Sequence, residues 1–151
     1  MPLIDSHAHL DFYNETPQER EEVLRRAYAA GVDTILAIGI GEGPATMHQA
    51  LAIAKTTGPG LPTLYASAGI HPQEAAHANE EALANLTRLV SDPKCIAIGE
   101  IGLDYYHVDN PEPVIQQQAF IAQMQIAAHA GKPILIHCRT SELATPEAKE
   151  K

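Results

Sequence analysis

Short apolar runs alternate with helical segments along the whole of this chain, and this repeat limits the folds that it can adopt. Five runs rich in Val, Ile, Leu and Ala show little alternation with polar residues, which is typical of strands covered on both faces of a sheet. These runs fall at residues 3–5, 34–38, 63–68, 95–99 and 133–137. Because a strand, a helix and a further strand in succession form a βαβ unit, the pattern predicts a parallel α/β sheet.

Four helices are predicted between these strands. The first begins with Thr16-Pro17-Gln18-Glu19, which has the form of a capping box, and stops at Gly31. The others lie at residues 45–57, after Asn79, and at 114–130, where Gly131 is expected to end the last helix. A complete (β/α)8 barrel takes about 250 residues, whereas this chain has 151. We expect a single domain over residues 1–151, either an open doubly wound sheet or part of a barrel, with a polar tail at 140–151 that starts a further helix.

The charge balance narrows the classes of function. The chain has 10 Lys and Arg against 19 Asp and Glu, a net charge of -9, so a protein that coats DNA through a basic face is disfavoured. The amino-terminal segment lacks the basic and apolar regions of a signal peptide, and we expect a cytoplasmic protein with no membrane partner. With only Cys95 and Cys138 as thiols, a metal would be held by His and carboxylate groups.

The strongest local signal is a pair of histidines directly after the first predicted strand, within Asp-Ser-His-Ala-His-Leu-Asp at residues 5–11. Alternate residues of an extended chain point the same way, so His7 and His9 can present two imidazoles to one ion. Asp5 and Asp11 flank the pair and are candidates to orient the rings by hydrogen bonding. For each of these carboxylates, a turn residue or helix cap is an equally open interpretation.

A second signal is a carboxylate between glycines after the fourth predicted strand, in Gly-Glu-Ile-Gly-Leu-Asp at residues 99–104. Parallel α/β folds carry their reactive groups at the carboxyl ends of the strands. Glu100 has two carboxylate oxygens and could therefore bridge two cations. Asp104 is predicted either to support this site or to act as a structural cap.

Two further strand ends carry polar groups. His137 and Arg139 share a face of the fifth strand, so a metal ligand and a cation suited to a phosphate would point into one space. Arg139 in an ordinary salt bridge is the alternative. His71, in Gly-Ile-His-Pro at residues 69–72, is predicted either to contact substrate or to cap its loop.

In this order, these motifs resemble the TatD-type metal-dependent deoxyribonucleases, a branch of the amidohydrolase-like TIM barrels. The matching segments are the motif at residues 5–11, Gly-Ile-His-Pro, Gly-Glu-Ile-Gly-Leu-Asp-Tyr-Tyr and Ile-His-Cys-Arg. The resemblance runs from Met1 to about Lys149. It implies an α/β fold, the TIM (β/α)8 barrel of metal-dependent hydrolases, present here as an incomplete barrel of the first five strands and four helices.

The resemblance also implies an activity and its cofactors. The enzyme would hydrolyse phosphodiester bonds with two divalent metal ions, which could be zinc, magnesium or manganese. Carried over by position, His7 and His9 would hold the first metal, Glu100 would be the catalytic residue bridging both, and His137 would bind the second. Nucleic acid, as single-stranded DNA or DNA ends, would be a substrate rather than a stable partner.

One part of the family pattern lies outside this sequence. The remaining ligands, a His on the sixth strand and an Asp on the eighth, would fall beyond Lys151, so the chain is expected to lack part of the active site. Five strands alone would also leave two sheet edges unpaired. We therefore expect either a fragment of a longer protein or self-association through the open edges.

Two other functions stay open. A metal-dependent amidohydrolase acting on a cyclic amide or lactone can share the His-x-His opening. Such sites commonly carry a modified Lys at the end of the fourth strand, where this chain has Glu100, while Lys94 lies at the start of that strand. The third hypothesis is a catalytically inactive half-barrel that binds metal or self-associates.

Overall fold

The sheet consists of five parallel strands whose order in space follows their order in the chain. The structure, a computed structural model, describes residues 1–39 and 43–140. The strands are β1 (Leu3–Ala8), β2 (Val32–Ala37), β3 (Thr63–Ala68), β4 (Cys95–Asp104) and β5 (Ile134–Arg139). A doubly wound sheet reverses its strand order at a switch point, and the order β1-β2-β3-β4-β5 contains no such reversal. The arrangement is therefore that of consecutive barrel strands. The predicted helix start in the tail lies, from residue 141 onward, outside the described residues.

Four helices connect the strands. They are α1 (Pro17–Ala29), α2 (Gln49–Ala54), α3 (Glu80–Val90) and α4 (Pro113–Ala130), with 3-10 turns at Leu10–Tyr13 and Pro72–His77. The second helix is shorter than predicted, because residues 45–48 form turns rather than a regular helix. Among the described residues, no helix combines the length and apolar character needed to span a bilayer.

The helix ends follow the predicted chemistry in two cases and depart from it in one. Asn79 caps α3, with its side-chain oxygen accepting a hydrogen bond from the N–H of Ala82 at 2.9 Å. Gly131 ends α4 in the left-handed conformation at φ 63°. The capping box at Thr16 does not form, because the Thr16 hydroxyl donates to the carboxylate of Glu19 at 3.1 Å instead of accepting from the backbone.

The hydrophobic core lies between the sheet and the helices and is densest at the middle strands. Leu24, Leu64, Leu86 and Ile98 are essentially inaccessible to solvent. At the two edge strands, in contrast, Ile4 of β1 is 71 % exposed and Ile136 of β5 is 59 % exposed. The described sheet is thus well packed at its centre and open along both edges.

The strand boundaries differ from the sequence expectation at the residues that matter most. β4 continues through Glu100 to Asp104 instead of stopping at Gly99. Gly99 and Gly102 suggest a loop, but the pairing of β4 with β5 shifts register between Ile98 and Ile101 and then resumes. The glycines allow this irregular strand to pass close to its neighbour. Glu100 is therefore held within the sheet rather than on a loop.

Candidate metal centre

The polar side chains predicted at four strand ends converge at the carboxyl-terminal edge of the sheet. His7 lies in β1, and His9 is the first residue after that strand. The Nε2 atoms of these two rings are 3.2 Å apart, and Nε2 of His7 is 3.7 Å from Oε2 of Glu100. Two strands that are separated by β2 and β3 in the sheet thus contribute to one cluster, which is the geometry of a curled sheet.

A second cluster surrounds the other oxygen of Glu100. Nδ1 of His137 lies 3.2 Å from Oε1 of Glu100, and Nε2 of His71 lies 3.1 Å from the same Nδ1 atom. In each cluster the candidate ligand atoms lie within 4.8 Å of one another. The carboxylate of Glu100 is shared, with one oxygen facing each group of imidazoles.

The donor atoms fit a divalent cation. Two ligands of a tetrahedral zinc ion at about 2.05 Å are about 3.3 Å apart, close to the 3.2 Å between Nε2 of His7 and Nε2 of His9. Two neutral imidazole lone pairs at this distance repel unless a proton or a metal ion lies between them. The other ring nitrogens of two of these histidines, Nδ1 of His9 and Nε2 of His137, face away from Glu100's contacts and are buried without a hydrogen-bond partner among the described residues. Neutral imidazoles beside a carboxylate are suited to zinc and similar ions.

Asp104 stands beside His137 as a buried carboxylate. Its Oδ2 atom is 3.4 Å from Nε2 of His137 and accepts from the side-chain amide of Gln73 at 3.3 Å. Burial alone would raise the pKa of Asp104, but the N–H of Tyr106 together with His137 and His107 outweighs it and lowers the pKa. At this distance the pair forms no hydrogen bond, and the role of Asp104 in orienting the His137 ring stays a prediction.

His71 is an uncharged imidazole at neutral pH. Burial, followed by the proximity of His137, lowers the pKa of His71 to about 4. Its Nδ1 atom accepts a hydrogen bond from the backbone N–H of Gln73 at 3.3 Å. In a neutral imidazole that acceptor role assigns the proton to Nε2, so this nitrogen is a hydrogen-bond donor that faces the cluster.

A cavity of about 330 Å³ opens over these groups and extends to Arg139. The guanidinium of Arg139 lies over the ring of Tyr106, 3.7 Å from its centroid, and Nη1 is 3.4 Å from Nε2 of His107. A larger apolar groove, about 800 Å³, lies between α3 and α4 and contains none of the predicted site residues. The smaller cavity is the one lined by predicted site residues, among them His9, Glu100 and His137.

Two of the predicted supporting carboxylates, Asp5 and Asp11, form no hydrogen bond with an imidazole in the described part of the chain. Asp5 accepts from the backbone N–H of His7 at 3.1 Å, which is a contact of the turn-residue alternative. Oδ1 of Asp11 is buried without a hydrogen-bond partner in the described part of the chain. Their role in orienting the imidazoles stays a prediction.

Three glutamines contribute to the site without having been predicted. Gln73 contacts both His71 and Asp104, while Gln116 and Gln123 of α4 bond to the backbone next to the cluster. The last two were detectable in principle. They lie seven residues apart, so they share one face of the helix, and that face is otherwise apolar.

The fold and the site together define a class of protein, the parallel α/β barrels with His and carboxylate clusters at the carboxyl ends of their strands. The family model described as "TatD related DNase" matches residues 4–150. This chain belongs to that family.

The relatives that resemble this chain are about twice its length. It is 37% identical over 122 residues to the "3'-5' ssDNA/RNA exonuclease TatD" of Erwinia billingiae strain Eb661, which covers 81% of this chain and 44% of that protein. It is 36% identical over 137 residues to the "Uncharacterized metal-dependent hydrolase YabD" of Bacillus subtilis strain 168, covering 91% and 51%.

A solved structure supports the same assignment of fold. The crystal structure of YJJV, a TatD homologue from Escherichia coli K12, superimposes with a TM-score of 0.77 at 31% identity. The superposition covers 91% of this chain and 51% of that one. The expectation of an incomplete TIM-type barrel is thereby confirmed.

Proposed function

We propose that this protein is a metal-dependent hydrolase of phosphodiester bonds in single-stranded nucleic acid. The observation that carries the proposal is the position of Glu100, whose two carboxylate oxygens face two separate imidazole clusters. Family membership supports it, as do the names of the relatives, which include an exonuclease and a metal-dependent hydrolase.

The proposed cofactors are two divalent cations. His7 and His9 would hold the first, His137 would bind the second, and Glu100 would contact both. When bound, such cations supply a nucleophile near neutral pH and neutralise charge on the phosphoryl oxygens. Zinc, magnesium and manganese are all candidates, with the imidazole-rich donor set favouring zinc.

The remaining groups of the cavity have roles in holding the substrate. Arg139 carries a permanent positive charge in a planar fork that suits two oxygens of one phosphate. His71, with its proton on Nε2, would donate a hydrogen bond to the substrate rather than ligate a metal. Asp104 would keep the His137 ring in one orientation.

Single strands are favoured by the charge and the rim of the site. With a net charge of -9, this chain has no excess of Lys and Arg to neutralise the phosphates of a duplex. The ring of Phe12 is 80 % exposed and lies 5.9 Å from the His9 ring, centroid to centroid. An exposed aromatic ring beside the reactive groups offers a stacking surface for an unpaired base.

The alternative hypotheses have less support. The Nζ atom of Lys94 donates to the backbone oxygen of Leu64 at 2.9 Å, at the far end of the sheet from Glu100, so it is not placed to bridge two metals in an amidohydrolase. An inactive half-barrel stays a hypothesis because the chain spans about half the length of these relatives. Self-association through β1 and β5 likewise stays a prediction.

The proposal is tested by hydrolysis of an end-labelled oligodeoxynucleotide, as a single strand and as a blunt duplex, with Zn²⁺, Mn²⁺ or Mg²⁺ and with EDTA. We expect metal-dependent cleavage of the single strand at least tenfold faster than that of the duplex, and none in EDTA. Dihydrouracil is assayed in parallel. Turnover of dihydrouracil alone would favour the amidohydrolase, and cleavage that is unaffected by EDTA would contradict both metal-dependent hypotheses. Metal binding without any hydrolysis would favour the inactive half-barrel.

A further inference from the structure

Gln123 binds both backbone groups of one residue next to the metal centre. Its Oε1 atom accepts from the N–H of Ile70 at 2.7 Å, and its Nε2 atom donates to the carbonyl oxygen of Ile70 at 3.1 Å. Ile70 lies beyond the end of β3, and it directly precedes His71. The side-chain amide thus makes the pair of hydrogen bonds that the backbone of a neighbouring strand would make with Ile70.

Gln116 makes the same paired contact at the end of β4. Its Oε1 atom accepts from the N–H of Asp104 at 2.8 Å, and its Nε2 atom donates to the carbonyl oxygen of Asp104 at 3.0 Å. The same amide nitrogen also donates to the oxygen of Pro111 at 2.7 Å. The residue held here is itself part of the site, since its carboxylate faces His137.

The two glutamines are buried on the same face of α4. They are each 1 % exposed and are separated by seven residues, or about two turns of α4. Burying an amide is unfavourable unless its donors and acceptor are satisfied, and here both amides are satisfied mainly by the backbone of two site segments. One continuous helix therefore sets the spacing between the segment that bears His71 and the segment that bears Asp104.

We propose that Gln116 and Gln123 are positioning residues of the metal centre. Through the peptide groups of Ile70 and Asp104, they hold the His71 and His137 rings, whose nitrogens are 3.1 Å apart, in register with Glu100. The expected effect on metal binding rests on the proposed function, whereas the positioning of the rings is a property of the metal-free protein. The two can therefore fail separately.

The test compares four variants of the full chain. Gln123→Met and Gln116→Met keep the length of the side chain and remove its hydrogen bonds. Gln118→Met is the matched control, because it makes the same change at an exposed position of the same helix. Leu86→Val, in the core, controls for a loss of stability away from the site. If a methionine variant does not fold, the corresponding Gln→Glu variant, which keeps the acceptor and loses the donor, replaces it.

Three quantities are measured on each variant: the urea midpoint, the ring ¹⁵N chemical shifts of His71 and His137 without metal, and the dissociation constant for Zn²⁺. We expect Gln123→Met to shift the His71 signals, Gln116→Met to shift the His137 signals, and both to weaken Zn²⁺ binding at least tenfold. Gln118→Met and Leu86→Val should leave the ring shifts unchanged and the Zn²⁺ affinity within about twofold.

The outcomes separate the two claims. Ring shifts in the methionine variants that match those of Leu86→Val would overturn the positioning role, whatever the affinity for Zn²⁺. A wild-type chain that does not bind Zn²⁺ would contradict the proposed function, and the ring shifts would still decide the role of the two glutamines.

Discussion

Replacing Glu100 by Gln is expected to weaken Zn²⁺ binding at least a hundredfold and to remove metal-dependent hydrolysis. The substitution keeps the shape of the side chain but removes the carboxylate between the two imidazole clusters. Oε2 of Glu100 is 3.7 Å from Nε2 of His7, and Oε1 is 3.2 Å from Nδ1 of His137. Because an amide is a much poorer ligand than a carboxylate for a divalent ion, both proposed metal positions lose affinity at once. A loss of about 2.7 kcal/mol corresponds to the hundredfold change.

Calorimetric titration with Zn²⁺ and the single-strand assay measure this effect, with Glu22→Gln as the control. Glu22 is an exposed residue of α1 and belongs to neither cluster. The control should bind Zn²⁺ as the wild type does. A Glu100→Gln protein that folds and retains wild-type affinity would show that the carboxylate is not a ligand.

Replacing Gly102 by Ala is expected to lower the free energy of unfolding by about 3 kcal/mol or more, and in the extreme to prevent folding. Gly102 pairs with His137 across β4 and β5. Its φ is +147°, a backbone conformation that residues with a Cβ rarely adopt. A Cβ at this position would overlap the carbonyl oxygen of His137. Relief of that overlap requires β5 to move away from β4, which would also separate His137 from Glu100.

Urea unfolding followed by circular dichroism measures this change, with Gly58→Ala as the matched control. At Gly58 an added Cβ would meet only the end of the Leu61 side chain, at 3.3 Å, and that side chain can move. The control should stay within about 1 kcal/mol of the wild type. Equal stability of the two variants would mean that β4 and β5 do not approach as closely as the structure shows.

The parts of the fold that were predictable from sequence are those that depend on residues close together in the chain. The five apolar runs and the glycine that ends α4 each depend on a few neighbouring residues, and each was found in the predicted segment, although β1 continues to Ala8, beyond its predicted end at residue 5. The same holds for His7 and His9, since an extended backbone is enough to place two alternate side chains together. Strand boundaries near Glu100 were wrong because an irregular strand and a glycine-rich loop have the same local sequence pattern.

The parts that were not predictable depend on contacts between distant segments. His71 and His137 meet across 66 residues, and Gln123 reaches the backbone of Ile70 across 53 residues. Sequence patterns place such residues at a strand end or on a helix face, but only the curvature of the sheet and the packing of α4 determine which of them touch. For the same reason the sequence indicated only that Glu100 could bridge two cations, and the two groups of imidazoles that its oxygens face emerged from the geometry.

Binding of two metal ions on either side of Glu100 can be measured by the anomalous diffraction signal of crystals of this chain grown with Zn²⁺. We expect a peak about 2.0–2.2 Å from Nε2 of His7, Nε2 of His9 and one oxygen of Glu100, and a second peak beside His137 and the other Glu100 oxygen. Peaks only at other residues, with no metal at Glu100 or at the rings of His7, His9 and His137, would contradict the proposed metal centre.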